Sequence, residues 1–209
     1  MQIEHVQPPS ETEERIFDAA LTVFSRKGRD GARMHEIANA AGLNAALLHY
    51  YFGSKEDLFV AVLSYSVKRF RESIAEDLRQ ADTFRDFLKS FVFGFVDFGN
   101  NNQEVVRLVM IENMSGGASL GKIFRQSKMS ADAPRALFLS AMAEAVERGE
   151  IRPTIDPEQT FITVISACVH FLLTYRMIEI GNPEAADRQS FIKRRKEHIL
   201  DLVYNGVKT

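Results

Sequence analysis

The chain has one cysteine, Cys168, in 209 residues, and no tryptophan. A single cysteine excludes an internal disulfide framework and a cysteine-rich zinc site. It suits a reducing compartment, so the cytoplasm is the expected location. The histidines His5, His35, His49, His170 and His198 show no ligand spacing with one another, and no metal or cofactor is expected. There is no glycine-rich phosphate loop and no G-x-S-x-G turn. Cys168 stands in an apolar stretch, where a thiol is hard to ionise, so the chain is not expected to be an enzyme. Long hydrophobic runs are missing too. The longest, Phe161 to Leu173, is interrupted by Thr163, Ser166 and His170, and falls short of the roughly 20 residues a membrane helix needs. Met1 to Ser10 carries no basic start followed by an apolar run, so no secretory signal is expected. Positive charge is also scarce. The formal net charge is −2, and residues 1 to 60 hold six basic side chains against nine acidic ones. A nucleic-acid partner would then require a local gathering of bases, such as Arg26, Lys27, Arg29, Arg33 and Lys55.

What is present is an ordinary globular balance, 45% hydrophobic and 26% charged, with 16 phenylalanines to build a core. No segment alternates with period two between turn signals, so the expected class is all-α. Ser10 with Glu13 is a capping-box signature for a first helix whose apolar face is Ile16, Ala20, Val23 and Phe24, ended at Gly28. A second helix is expected from about Arg33 to Ala41, without a Ser or Thr cap. Gly42 supplies a turn and Asn44 caps a third helix with Leu48 and Phe52 inward. Ser54 with Asp57 opens a fourth helix that runs to about Arg79. Two short helices on either side of a glycine turn are the build of a helix-turn-helix, whose second helix is shaped for the DNA major groove. Further helices are expected at about 84–99, 104–114, 120–128, 134–148, 156–180 and 188–204.

The segment Ile37-Ala38, Ala41-Gly42-Leu43 and Leu48-His49-Tyr50-Tyr51-Phe52-Gly53-Ser54-Lys55-Glu56-Asp57-Leu58 resembles the TetR family of bacterial transcriptional regulators. So does the first helix with Ala19-Ala20-Leu21, Phe24 and Lys27-Gly28. The motif covers about residues 12 to 60; beyond it the likeness lies in helix number, length and the Arg148-to-Pro153 turn. The resemblance implies a three-helix DNA-binding domain over residues 10–55 and a helical ligand-binding and dimerisation domain over residues 56–209. It implies a homodimeric, ligand-responsive regulator, most often a repressor, on a palindromic double-stranded DNA operator. Behind Asn44, the recognition helix would present Ala45, Ala46, His49 and Tyr50 to base edges. Tyr51, Lys55 and the start of the second helix at Arg33 would hold phosphates, Lys55 at a helix N-terminus where anions are favoured. Many members carry Lys or Gln where Ala45 stands and Thr where Leu47 stands. Loss of those groups leaves the polar reading to His49 and Tyr50, while alanine methyls suit thymine.

Each of these residues also has a plainer reading. Tyr50 and Tyr51 could be core aromatics, and Lys55 a solvated first-turn residue. The stripe Phe84, Phe87, Phe91, Phe95 and Phe98 reads first as core. A pocket would draw on the same residue types, and Phe87, Phe91, Phe95, Met110, Met114, Phe171 and Tyr175 are its candidate walls, suited to an apolar effector. His170 reads as a core histidine. Met177 and Ile180 with Ile199, Leu202 and Val203 look like a dimer seam. The competing function is a helical small-molecule-binding or protein-interaction module with vestigial DNA binding, favoured by the acidic first 60 residues and by Ala45-Ala46-Leu47. Salt-dependent DNA binding separates the two.

Overall fold

The computed structural model describes residues 10–127 and 134–209, and among them there are ten α-helices and no strand. These are α1 (Glu11–Gly31), α2 (Met34–Ala41), α3 (Ala45–Phe52), α4 (Lys55–Arg79), α5 (Phe84–Asn101), α6 (Gln103–Met114), α7 (Ala118–Ser127), α8 (Pro134–Glu147), α9 (Pro157–Gly181) and α10 (Arg188–Val207). A 3-10 turn, Pro183–Ala186, and an isolated bridge between Ile151 and Lys208 have no counterpart in the sequence reading. Lys128, the expected end of α7, and His5 lie outside the described residues.

The helices form two compact units. One holds the described residues up to Val67 together with Glu104–Phe124. The other holds Lys68–Gln103 and the described residues from Arg125 onward. The division falls inside α4, between Val67 and Lys68, and the first unit is not a single stretch of chain.

In the first unit, the capping box at Ser10 is complete. The Ser10 backbone N–H donates to Glu13 Oε2 at 2.8 Å and the Glu13 N–H returns a bond to Ser10 Oγ at 3.3 Å. Two of the N–H groups that a helix start leaves unpaired are thereby satisfied. Ile16, Ala20 and Phe24 recur at helical spacing and are buried against Ile37, Ala38, Leu48, Leu58 and Phe59. Phe24 meets Phe59 edge-on at 5.0 Å. Gly28 has φ 67 and interrupts α1, which resumes for one turn to Gly31. Leu108, Leu120 and Ile123 of α6 and α7 complete the same core. The buried Glu112 accepts the Ser119 N–H at 2.7 Å near the start of α7.

In the second unit, α5 packs against α8, α9 and α10. The expected phenylalanine stripe is there: Phe84, Phe87 and Phe91 are buried, while Phe95 and Phe98 are half-buried. Phe138 of α8 is the hub, 5.4 Å from Phe91, 5.4 Å from Phe161, 5.9 Å from Phe84 and 6.0 Å from Phe87. These edge-on pairs are each worth about 0.5–1.5 kcal/mol beyond area burial. Glu150 fastens the unit's ends together. Its Oε2 accepts the Phe84 N–H at 2.8 Å, its Oε1 accepts Arg148 Nε–H at 2.6 Å, and its carbonyl accepts the Thr209 N–H at 3.2 Å. Burial pushes the Glu150 carboxyl up, but the Phe84 N–H and the Arg148 guanidinium outweigh it and leave the pKa lowered.

Helix α9 is long and apolar enough to cross a membrane by length and composition. One side of it, Thr160, Val164, Cys168, Phe171 and Tyr175, is core at steps of three and four.

Candidate nucleic-acid interface

Helix α3 is positioned by the turn before it and the cap after it. Gly42 ends α2 in the left-handed region (φ 66), where a Cβ would be strained, and its neighbour Ala41 gives its carbonyl to Arg15 at 2.7 Å. The Asn44 side chain then accepts the Ala46 N–H at 2.7 Å, which opens α3. Leu48 is the one residue of α3 that is fully buried. Phe52 is half-buried beside Phe17, at 5.7 Å, and Ala45 is half-buried against the core. Everything else on α3 faces out. Tyr50 is 84% exposed, and Ala46, Leu47, His49 and Tyr51 are exposed. Tyr50 and Tyr51 stand edge-on at 5.7 Å. An eight-residue helix so apolar in composition, held by one buried leucine and two half-buried neighbours, presents a surface with no partner inside its own unit.

The eight residues expected at a DNA interface divide in four. Ala46, His49, Tyr50 and Tyr51 share the open surface of α3, with Asn44 at its start. Ala45 is turned partly into the core, so of the two alanine methyls that of Ala46 is the open one. Arg33 is exposed at the start of α2, makes no side-chain cap there, and has no ion pair among the described residues.

Lys55 is different. Its Nζ donates to the Asp30 carbonyl at 3.2 Å and the Ala32 carbonyl at 3.0 Å, tying the end of α1 to the start of α4. An ammonium has three protons, so one remains for a phosphate. Of the five bases expected to gather, Lys27 and Arg29 are engaged as well. Lys27 pairs with Glu36 at 2.7 Å, and Arg29 pairs with Glu56 at 2.8 Å and with Asp30. The Lys27 hydrogen bond lowers the Glu36 carboxyl pKa, and the Asp30 hydrogen bond raises that of Arg29, followed by the charge of Glu56. Of the five bases, only Arg26 and Arg33 lack an ion pair or hydrogen bond among the described residues. Sequence reasoning missed Arg15, whose bond to Ala41 shapes the turn, because a contact across 26 residues leaves no local signal.

Of the seven candidate pocket walls, Phe87, Phe91, Phe95, Phe171 and Tyr175 share the core of the second unit. Phe87, Phe91 and Phe95 belong to the α5 ring network of the second unit. Phe171 and Tyr175 form another with Phe191, where the Tyr175 hydroxyl donates to the Ala185 carbonyl at 2.8 Å. Met110 and Met114 are in the first unit, and Met114 is 84% exposed. A cleft of about 600 Å3 lies elsewhere in the second unit, between α4 and α5, bordered by Asp77, Lys89, Phe93, Asp97 and Phe98. Cys168 is fully buried and its thiol is pushed up to about 12 by that burial. No group of three or more His, Cys, Asp or Glu able to hold a metal occurs among the described residues.

Two family models match the chain. Bacterial regulatory proteins of the tetR family match residues 16–62, and the tetracyclin repressor-like C-terminal domain matches residues 85–203. Among curated proteins, the HTH-type transcriptional repressor NicS of Pseudomonas putida is 28% identical over 97% of this chain and 95% of its own. The HTH-type transcriptional regulator RutR of Escherichia coli is 25% identical over 92% of this chain and 89% of its own. Among solved structures, FadR of Bacillus subtilis in complex with stearoyl-CoA superposes with a TM-score of 0.74, covering 92% of this chain and 98% of its own at 18% identity.

Proposed function

Because the chain belongs to the TetR family of bacterial transcriptional regulators, and is thus a DNA-binding regulator of transcription, we propose that α3 is its recognition helix and that it acts as a homodimeric repressor on a palindromic operator. The observation that carries this is the open surface of α3. Tyr50 at 84% exposure, with His49, Tyr51 and Ala46 beside it, is a set of hydrogen-bonding tips and a methyl on one open surface, the groups that read base edges in the major groove. Arg33 and the third proton of Lys55 supply phosphate contacts at the flanks. Against the vestigial-module alternative, for which the acidic first 60 residues and Ala45-Ala46-Leu47 speak, stand the intact turn, the intact cap and the exposed α3 surface.

The dimer rests on α9 and α10. Ile162, Leu173, Met177 and Ile180 of α9 and Leu202 of α10 are all exposed, Ile180 to 88%. Exposed large aliphatic groups on neighbouring helices suit a second copy of the same surface. Of the five seam residues expected from sequence, Met177, Ile180 and Leu202 are free for this, whereas Ile199 and Val203 are buried in their own unit's core. A two-fold axis there sets two α3 helices against half-sites about one helical turn or slightly more apart. A small apolar effector taken up by the phenylalanine-rich second unit shifts the dimer between spacings and releases DNA. The working location is the cytoplasm.

The test is selection of duplexes from a random pool by the purified protein, followed by titration of the best duplex at several salt concentrations. A palindromic winner with a steep salt slope is expected. A folded, dimeric protein that enriches no duplex overturns the reading.

A further inference from the structure

His49 is held twice by one residue. Its backbone carbonyl accepts the Gly53 N–H at 2.8 Å, and its ring Nδ1 lies 2.8 Å from the Gly53 carbonyl oxygen. A carbonyl oxygen only accepts, so the proton of this bond is on Nδ1. Once Nδ1 carries the proton, the neutral ring bears a lone pair on Nε2 and no hydrogen there. The ring is exposed, and Nε2 has no hydrogen-bond partner among the described residues. Phosphate oxygens, the N7 and O6 of guanine, and the O4 of thymine are all acceptors and cannot bond to a bare acceptor. The groups in the major groove that can are the exocyclic amines, N6 of adenine and N4 of cytosine.

We infer that His49 is a specificity-determining residue that accepts a hydrogen bond from an adenine N6 or cytosine N4 amine through Nε2, its tautomer fixed by the Gly53 carbonyl. The inference rests on α3 being the recognition helix. Gly53 is suited to its part. Its backbone (φ 68, ψ −71) lies where side chains are disfavoured, and this turn, directly after α3, brings its carbonyl back toward the ring four residues earlier. The choice of base at this position is therefore written in the turn after the helix as much as in the helix. Tyr50, whose hydroxyl both donates and accepts, has no such restriction.

Two measurements test this. In the free protein in alkaline buffer, long-range 15N–1H correlation spectra of the neutral His49 ring should show a protonated Nδ1 and a bare Nε2; a neutral ring with its proton on Nε2 overturns the inference without touching the DNA-binding reading. On the selected duplex, each adenine is replaced in turn by purine and each cytosine by 2-pyrimidinone, which removes the amine alone. One such position per half-site should weaken binding of the unaltered protein by about 3- to 10-fold, the worth of one hydrogen bond. The same replacement should be neutral in His49→Phe, a ring of similar size with no lone pair. If every amine deletion costs the two proteins equally, His49 does not read an amine and the inference fails while the regulator reading stands. If no duplex is bound at all, both fail together.

Discussion

Two surfaces of this molecule leave large side chains in water, and they do so with different chemistry. On α3 the exposed groups are Ala46, Leu47, His49, Tyr50 and Tyr51, and three of the five end in a hydrogen-bonding atom. On α9 they are Ile162, Leu173, Met177 and Ile180, and none does. Aliphatic groups in water cost free energy in proportion to their area, about 1.5–3 kcal/mol for each large side chain, and recover it only against another apolar surface. Aromatic groups with polar tips are suited to a partner that is itself polar, such as the edge of a base pair. The difference fits the two partners proposed for these surfaces: a second copy of the chain at α9, and DNA at α3.

The sharpest break in the comparison is to give the α9 surface charge. Met177→Glu with Ile180→Lys should turn a dimer into a monomer at micromolar concentration in analytical ultracentrifugation, a loss of at least about 1,000-fold in association given two large apolar groups removed from each protomer. DNA affinity should fall with it, although both residues belong to the unit that does not contain α3. Monomers that bind the operator as tightly as the unaltered protein would remove α9 from the account.

Next in size is Tyr50→Ala, which should weaken operator binding by about 10- to 100-fold and leave the sedimentation of the free protein unchanged. Arg33→Ala should weaken binding to every duplex alike and reduce the salt slope by about one. An unaltered slope would place Arg33 away from the phosphates.

Lys55 sharpens the comparison because it serves both the fold and the interface. Lys55→Met removes two hydrogen bonds to carbonyls and should cost about 1–3 kcal/mol of stability by denaturant titration. If its third proton meets a phosphate, the salt slope falls by about one as well; stability loss with an intact slope would confine it to the fold.

Two smaller effects test the second unit. Glu150→Ala should cost about 2 kcal/mol, since it strips the Phe84 N–H and the Arg148 guanidinium of an ionised acceptor. The folded pKa of Glu150 is lowered, so its contribution is present above the carboxylate's ordinary value and is lost as pH falls through the folded value. The variant should accordingly lose less stability than the unaltered protein on acidification; equal acid sensitivity would mean that Glu150 is not ionised in the folded state. Cys168, with its thiol pushed up to about 12, should resist iodoacetamide until the unit unfolds. The stability it contributes as a neutral thiol is present below about pH 8.5 and declines as pH rises above it.

Local signals made the first unit's elements legible. The Ser10 box, Gly42, the Asn44 cap and Ser54 each act within four residues, and each is where the sequence placed it. The ends of α5 and α9 were legible for the same reason, through Asn100-Asn101-Asn102 and Asp156-Pro157. What the sequence did not show are contacts between distant positions. Phe138 as the hub of the ring network, Glu150 on the Phe84 N–H, and α6 and α7 closing the first core depend on which helices meet, and helical periodicity is silent about that. The site follows the same division. The family resemblance implied an open surface for His49, Tyr50 and Tyr51, and all three are exposed, but the Lys55 carbonyl bonds and the pairing of Lys27 and Arg29 required three dimensions.

The most direct test of the central claim is to place a cleavage reagent on α3 itself. In a Cys168→Ser background, Ala46→Cys carrying an iron chelate and bound to the selected duplex should cut the backbone at two places flanking the major groove, one per half-site and about one helical turn or slightly more apart. Cleavage spread evenly along the duplex, or absent while the protein remains bound, would contradict the assignment of α3 as the helix that reads DNA.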